Sequence, residues 1–215
     1  MTIDSSHGSE HLAQSVIRFA PGRSSPRSLT GRQELLYVAS GVGTLHVGET
    51  EHALEPGMGA YVVDGETYEV ENPGPAELVI VAVEAPQEAD RTVDPTRRTV
   101  RYADQPPLKA GVDREFRYLV NQDVGSLDVT QFVGLIPPGR APMHSHSYDE
   151  IVYVIDGEGK LHLDGRETPI GPGSAMHLRP LVEHCLENTG KGSMRVLGVF
   201  HPSGDPASRA YDELS

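Results

Sequence analysis

The chain has 215 residues, a formal net charge of −13 and 37% hydrophobic residues. That hydrophobic fraction supports a packed core, and the length fits either one large β domain or two domains of about 100 residues each. The acidic balance excludes nucleic acid as a main partner, because the phosphate backbone attracts basic proteins.

The sequence also predicts the cellular location of the protein. Cys185 is the single cysteine, so no disulfide can form within the chain. The first 20 residues lack the features of a secretory signal. The longest apolar runs, such as residues 78–83, are far shorter than the ~20 residues that cross a bilayer. We therefore expect a cytoplasmic protein with no membrane partner.

Short apolar runs bounded by Gly and Pro predict strands along most of the chain, and helical periodicity is weak. Residues 99–102 could add a strand to a sheet edge, and residues 206–214 could form a short helix. In chain order, the composition predicts a flexible tail (1–11), a first β unit (12–86), a linker (87–112), a second β unit (113–203) and a second tail (204–215).

An internal repeat relates the two β units. When the chain is shifted by 116 residues without a gap, turn residues and strand residues coincide at many positions. The coincidences include Glu34 with Glu150, Gly41 with Gly157, His46 with His162, Pro56–Gly57 with Pro172–Gly173, and Asn72 with Asn188. The protein is therefore predicted to contain two copies of one β unit.

The second copy carries a cluster of metal-binding side chains. His144, His146 and Glu150 have the same parity, so on a strand they point to the same face. Imidazoles and a carboxylate that converge on one face form an incipient metal site. A fourth ligand is needed, and His184 is the candidate.

Two segments around these residues resemble the two motifs of the cupin superfamily. Residues 139–157 resemble the first motif, with a Gly before His-x-His, then Glu and Gly; residues 165–188 resemble the second. One departure is the gap of four residues, rather than the commoner five, between Gly139 and His144. The resemblance implies an all-β fold of two tandem cupin barrels, each a double-stranded β-helix of the jelly-roll type. It also implies metal ligation by His144, His146, Glu150 and His184.

We expect one divalent transition metal per chain. Fe, Mn, Zn and Ni all suit three imidazoles and one carboxylate, so the sequence does not choose between them. At the equivalent positions, the first copy has Ser28, Thr30, Glu34 and Tyr68. Such residues do not form a tight transition-metal site, so the first barrel is expected to be metal-free. Whether it binds another small molecule is left open.

Four further residues are candidates for work on a substrate. His177 could act as a general acid or base, and Arg179 could anchor a substrate carboxylate, if their side of the strand faces the cavity. The alternative is that both lie on the outer surface, since a shift of one residue in register reverses every face. Tyr148 and Gln131 could also contact a substrate.

These features predict a metal-dependent enzyme that acts on a small organic substrate, which could carry a carboxylate. Because many cupins are dioxygenases, the resemblance favours an iron-dependent dioxygenase. Two alternatives remain: a non-redox aminohydrolase, isomerase or lyase, and a cupin that binds a small molecule without converting it. A homodimer is also compatible with the sequence.

Overall fold

The computed structural model describes residues 2–88, 95–111 and 113–208. Within these residues the fold is almost entirely β, with short 3-10 helices at Ser5–His7, Tyr102–Asp104 and Gln122–Val124. The strands form two barrels, each built from a pair of sheets. The expected all-β architecture is therefore confirmed.

The first barrel contains one sheet in the order β1-β9-β4-β7-β10 and a second in the order β2-β8-β5-β6, with β3 also paired to β8. Its strands are β1 (Ala13–Phe19), β2 (Gly22–Arg23), β3 (Arg27–Ser28), β4 (Arg32–Ser40), β5 (Gly43–Val47), β6 (Thr50–Leu54), β7 (Met58–Val62), β8 (Thr67–Asn72), β9 (Leu78–Pro86) and β10 (Thr99–Arg101). Its interior is apolar and includes Leu36, Leu45, Val70 and Ile80.

The second barrel repeats this plan, with sheets in the orders β11-β12-β13-β20-β15-β18 and β14-β19-β16-β17. Its strands are β11 (Leu108–Lys109), β12 (Glu115–Val120), β13 (Thr130–Ile136), β14 (Gly139–Arg140), β15 (Asp149–Asp156), β16 (Gly159–Leu163), β17 (Arg166–Ile170), β18 (Ala175–Leu178), β19 (His184–Asn188) and β20 (Met194–His201). Residue pairs in corresponding strands of the two barrels are offset by 116 in residue number. In the first barrel Glu34 lies opposite Val62, and in the second Glu150 lies opposite Leu178.

The barrels pack back to back through the sheets that contain β4 and β15. One apolar cluster contains buried residues from both barrels, among them Leu35 and Val83 from the first and Val133 and Ile151 from the second. Since β15 is covered on both faces, residues 151–155 are apolar throughout rather than alternating. Even-numbered residues of this strand face the barrel interior, and odd-numbered residues face the first barrel.

The described part of the N-terminal segment is not the loose tail that its polar composition predicts. Ile3 is buried in the core that the two barrels share. The backbone around Ile3 pairs with Gln14, the second residue of β1. One apolar side chain thus docks the start of this segment between the barrels, while residues 5–8, 10 and 11 are exposed.

The predicted linker contributes secondary structure where the structure describes it. Residues 99–101 form β10 at the edge of a first-barrel sheet, as the sequence allows, and Leu108–Lys109 form β11. The predicted second tail is also packed in its described part: Gly204 lies against the ring of Tyr148, and Ala207 packs on an aromatic cluster. The helix considered at 206–214 falls largely outside the described residues. None of the described helices has the length and apolar character needed to cross a membrane.

Candidate metal centre

The four residues implied as ligands lie at the junction of two strands in the second barrel. Glu150 lies in β15 and His184 begins β19. His144 and His184 form an isolated antiparallel bridge, with N–O distances of 3.0 and 2.9 Å between their backbones. This bridge fixes the segment before β15 next to β19, so residues 40 apart in sequence become neighbours.

Three of the four side chains form a tight buried cluster. Potential ligand atoms of His146, Glu150 and His184 all lie within 4.8 Å of one another, and Nε2 of His146 is 2.8 Å from Oε2 of Glu150. His144 lies beside this cluster, with its ring centroid 4.7 Å from that of His184. The structure thus brings all four residues together, with His144 at the margin.

Each of the three imidazoles is held in the same way. Nδ1 contacts a backbone carbonyl two residues away: from His144 to Pro142 at 3.2 Å, from His146 to Tyr148 at 2.8 Å and from His184 to Val182 at 2.9 Å. A carbonyl can only accept, so Nδ1 carries the proton and Nε2 keeps its lone pair. Such contacts are the usual means by which proteins orient metal-binding histidines.

The pKa values of two of the three histidines favour the neutral imidazole that binds a metal. Burial lowers the pKa of His144 to about 4, and the neighbouring His184 acts in the same direction. Burial also lowers the pKa of His184. For His146, burial acts to lower the pKa, but the Glu150 carboxylate outweighs it and the pKa is raised.

The donor set fits a divalent transition metal. Nε2 of His146 is buried and has no hydrogen-bond partner among the described residues, because its close contact with Glu150 lacks the alignment of a hydrogen bond. Buried polar atoms are normally paired, so an orphaned lone pair beside a carboxylate fits a cation bound by both groups. Three imidazoles and one carboxylate suit Fe, Mn, Zn or Ni, with about one net positive charge left on the centre.

The centre opens onto a cavity of about 570 Å³ in the second barrel. Among the lining residues are all four of these side chains and a largely apolar wall that includes Ile136, Val152, Leu178, Leu186 and Val196. Residues 110–111 and 113–116 and residues 206–208 also contribute, so both segments expected to be linker or tail help to enclose the cavity.

The structure contradicts the predicted roles of His177 and Arg179. His177 lies opposite Ile151, whose side chain belongs to the core between the barrels, and its Nε2 is 2.5 Å from Asp149. Arg179 is exposed and forms a 3.7 Å ion pair with Asp164. The register of β18 directs Met176 and Leu178 into the barrel, so His177 is directed away from the cavity; Arg179 does not line it either.

Gln131 is also misplaced by the sequence prediction, whereas Tyr148 lies at the cavity. Gln131 is two residues before Val133 in β13, so both side chains lie on the same face, and Val133 points to the shared core. The Oε1 atom of Gln131 lies close to Gly59 of the first barrel. It therefore cannot contact a substrate in the cavity. Tyr148 lines the cavity, and its ring stacks on His146 with a centroid distance of 4.3 Å.

Sequence reasoning missed three aromatic residues of the same wall: Phe116, Phe132 and Phe200. The sequence contained enough information to place two of these three residues. Phe132 and Phe200 have the parity that faces the cavity in β13 and β20, because their odd-numbered neighbours point to the shared core. Phe116 could not be placed, since its strand lies near the predicted boundary between linker and barrel.

In the first barrel, Arg27 supplies the positive charge beside Glu34, which corresponds to Glu150 in the repeat. Its guanidinium contacts both carboxylate oxygens of Glu34, at 3.0 and 3.1 Å, and Tyr68 donates to the same carboxylate at 2.8 Å. Tyr61 faces the shared core instead. An internal cation thus neutralises the carboxylate that corresponds to Glu150.

Curated proteins similar to this chain match over short segments. An oxalate-binding protein from Thermotoga maritima is 35% identical over 67 residues, which cover 30% of this chain and 55% of the relative. L-ectoine synthase from Bordetella petrii is 36% identical over 70 residues, 32% of this chain and 52% of the relative. The chain therefore spans about half the length of these relatives.

Solved structures match nearly the whole fold. Protein Ylba from E. coli has a TM-score of 0.79 at 14% identity, over 94% of this chain and 81% of that one. Oxalate decarboxylase from Bacillus subtilis, described with Mn(II) centers, has a TM-score of 0.72 at 15% identity, over 92% of this chain and 70% of that one. At such identities the likeness shows the fold alone.

The two copies of the repeat each match the same family model. The family model described as Cupin domain matches twice, at residues 15–84 and 132–200, once in each barrel. Together these matches cover more than half of the chain, and they agree with the two-barrel fold and its structural neighbours. The chain belongs to the cupin family, with two cupin domains in tandem.

Proposed function

We propose that the protein is a metal-dependent enzyme that acts on a small organic anion in the second barrel. The observation that carries the proposal is the common orientation of His144, His146 and His184. Each imidazole is fixed through Nδ1 to a backbone carbonyl, so that Nε2 is available beside a buried carboxylate at a cavity of about 570 Å³.

In this proposal, some side chains bind the metal and others form the apolar wall of the substrate cavity. His144, His146, Glu150 and His184 would hold a divalent metal, which when bound polarises a substrate oxygen or activates a small molecule. The apolar wall excludes water from the same space, which strengthens each electrostatic contact there. The residual positive charge of the centre favours a substrate with an anionic group.

One feature of the cavity favours an iron-dependent dioxygenase. His177 and Gln131 are directed away from the cavity. Among the described lining residues, this leaves the ligands and Tyr148 as the groups near the centre that could transfer protons. Asp113 and Arg114 line the cavity from the segment before β12, and Glu115 lines it from the start of that strand. Dioxygenase chemistry places the least demand on protein acids and bases.

The similar proteins favour the second candidate, a non-redox lyase, isomerase or aminohydrolase. A decarboxylase shares the fold, and a synthase matches part of the sequence. The name of the oxalate-binding protein also supports binding without turnover as the third candidate. Manganese, zinc or nickel would serve the non-redox reaction.

Metal analysis of the purified protein tests the proposal. We expect about one metal ion per chain in the wild-type protein, and His184→Ala to lower the metal affinity by at least the 10–100-fold that loss of an outer-shell partner costs. The matched control is His177→Gln, which removes a buried imidazole that faces away from the centre and should retain the metal. Full metal content in His184→Ala would contradict the assignment.

Oxygen uptake then separates the reaction classes. Iron-loaded protein, prepared without oxygen, is mixed with candidate organic anions in an oxygen electrode. Stoichiometric oxygen consumption supports the dioxygenase. Product formation without oxygen consumption supports the non-redox enzyme, and saturable binding without any product would overturn catalysis in favour of a binding protein.

A further inference from the structure

We infer that the substrate carries an aromatic ring next to its anionic group, and that the ring lies against a wall formed by Phe116, Phe132, Tyr148 and Phe200. This inference rests on the proposed function, because the anionic group is the part that would meet the metal centre. It names the class of substrate: a small arene carboxylate or a similar aromatic anion.

The aromatic wall begins at the metal centre itself. The ring of Tyr148 is nearly parallel to that of His146, at 10° and 4.3 Å between centroids, and stacks on Phe200 at 4.0 Å. Phe200 contacts Phe132 at 4.9 Å, and Phe132 meets Phe116 edge to face at 6.0 Å. A molecule bound beside His146 would therefore have aromatic side chains along its flank.

Glycines make room for these rings. A Cβ on Gly198 would overlap the edge of the Phe132 ring, and a Cβ on Gly204 would lie 2.7 Å from the ring of Tyr148. Gly134 lies on β13 between Phe132 and Ile136 and also lines the cavity. The backbone thus approaches the wall closely at two points and leaves the cavity open at a third.

The size of the cavity argues against a very small dianion such as oxalate. The cavity of about 570 Å³ lies within the roughly 300–1,000 Å³ typical of pockets for drug-sized ligands. Among the described lining residues, the cationic side chains are Arg114, which donates to the backbone carbonyl of Leu186 at 2.9 Å, and Arg140. Arg140 lies opposite Glu187, on the face of β19 away from Leu186.

An aromatic ring is the body that this wall accommodates best. Aromatic pairs gain about 0.5–1.5 kcal/mol beyond the burial of their area when they stack or meet edge to face. Oxalate offers no apolar surface to this wall, so it gains none of this interaction energy.

Calorimetric titration of the zinc-loaded protein tests this inference, because zinc has no redox chemistry and so excludes oxidation of the probes. The probes are phenylacetate, acetate and oxalate. Phenylacetate and acetate share one anionic group and differ by the ring. We expect phenylacetate to bind at least tenfold more tightly than either acetate or oxalate.

Variants show where the preference arises. Phe132→Leu should reduce the preference for phenylacetate over acetate at least threefold, and Gly134→Leu, which fills the cavity, should abolish it. Phe19→Leu removes an aromatic side chain that packs on the interior of the first barrel, and it should leave the preference unchanged. Near-ultraviolet circular dichroism verifies that each variant is folded.

Three outcomes are decisive. The expected pattern supports the inference. Zinc binding with oxalate preferred, or with a preference that Phe132→Leu and Gly134→Leu leave intact, overturns the aromatic substrate and leaves the metal centre standing. Failure of the wild-type chain to bind zinc overturns the proposed function, and the inference with it.

Discussion

At the scale of single residues, Arg27 and Glu34 show how the first barrel pairs a buried carboxylate with an internal cation. Glu34 has a fully buried side chain, and Arg27 contacts both of its oxygens and also Glu84 at 2.7 Å. The pKa of Arg27 is raised: burial acts to lower it, but the contacts with Glu34 outweigh the burial. The arginine therefore remains charged and neutralises Glu34.

Removal of this cation should destabilise the protein. Arg27→Met leaves the Glu34 carboxylate buried and unpaired, which costs about 3–5 kcal/mol for a fully buried pair. Because the Arg27 side chain is 38% exposed, we expect a smaller loss of about 2 kcal/mol in the free energy of unfolding, measured with urea.

A second substitution separates charge from shape. In Arg27→Met/Glu34→Gln, a neutral amide needs no counter-charge and still accepts the hydrogen bond from Tyr68. The double variant should therefore recover more than half of the lost stability. Arg18→Met, which removes an exposed ion pair with Glu77, should have no measurable effect. A double variant less stable than Arg27→Met would show that the carboxylate is not the source of the loss.

At the scale of elements, the segment before β1 stabilises the junction of the barrels through one side chain. Ile3 is 4% exposed and packs in the shared core, while its backbone pairs with Gln14. Ile3→Ala should lower the free energy of unfolding by about 2–4 kcal/mol, since it leaves a cavity in a packed core. Urea unfolding of Ile3→Ala beside Ser6→Ala, an exposed neighbour, measures the effect; equal stability of the two variants would mean that the segment does not dock in solution.

Sequence reasoning placed these elements well where patterns are local. The repeat located both barrels, and the sequence pattern singled out His144, His146 and Glu150. Only Glu150 lies on a strand, however; His144 and His146 precede β15, and the backbone bridge between His144 and His184 holds that segment in place, not the strand alternation assumed from the spacing. Ile3 was missed, since a single apolar residue in a polar segment has no periodicity to reveal its docking site.

The orientation of His177 and Gln131 depended on tertiary structure. Both faces of β13 and β18 are covered, one by the barrel interior and one by the other barrel, so burial alone does not distinguish them. The pairing of His177 with Ile151 across the sheet shows that His177 points away from the cavity. The sequence did not single out Arg27, because its position in the repeat corresponds to Met143, which is not among the ligand positions.

At the scale of the whole molecule, the two barrels behave as one unit because they share a core. Buried residues of both domains, such as Tyr61 and Val133, belong to the same apolar cluster. Separation of the barrels would expose this cluster to water, so we expect a single cooperative unfolding transition rather than two. One folded unit can thus contain a candidate metal centre in one barrel and an internal salt bridge in the other.

A histidine at the junction of the barrels makes this unit sensitive to acid. His201, at the end of β20, has its ring centroid 5.2 Å from that of His11 in the N-terminal segment. Burial is the main cause that lowers the pKa of His201; His11 and Arg32 act in the same direction, whereas Asp128 and Asp149 oppose them.

The sign of the pH dependence follows from this lowered pKa. A histidine with a depressed pKa binds fewer protons in the folded than in the unfolded chain, so its neutral form contributes stability that is lost as the pH falls below the unfolded value of about 6.5. His201→Gln should therefore lose less stability than the wild-type protein between pH 7 and pH 5, as measured by urea unfolding at each pH. Parallel pH profiles for the two proteins would show that protonation of His201 does not open the junction, and that the acid sensitivity of the fold arises at other groups.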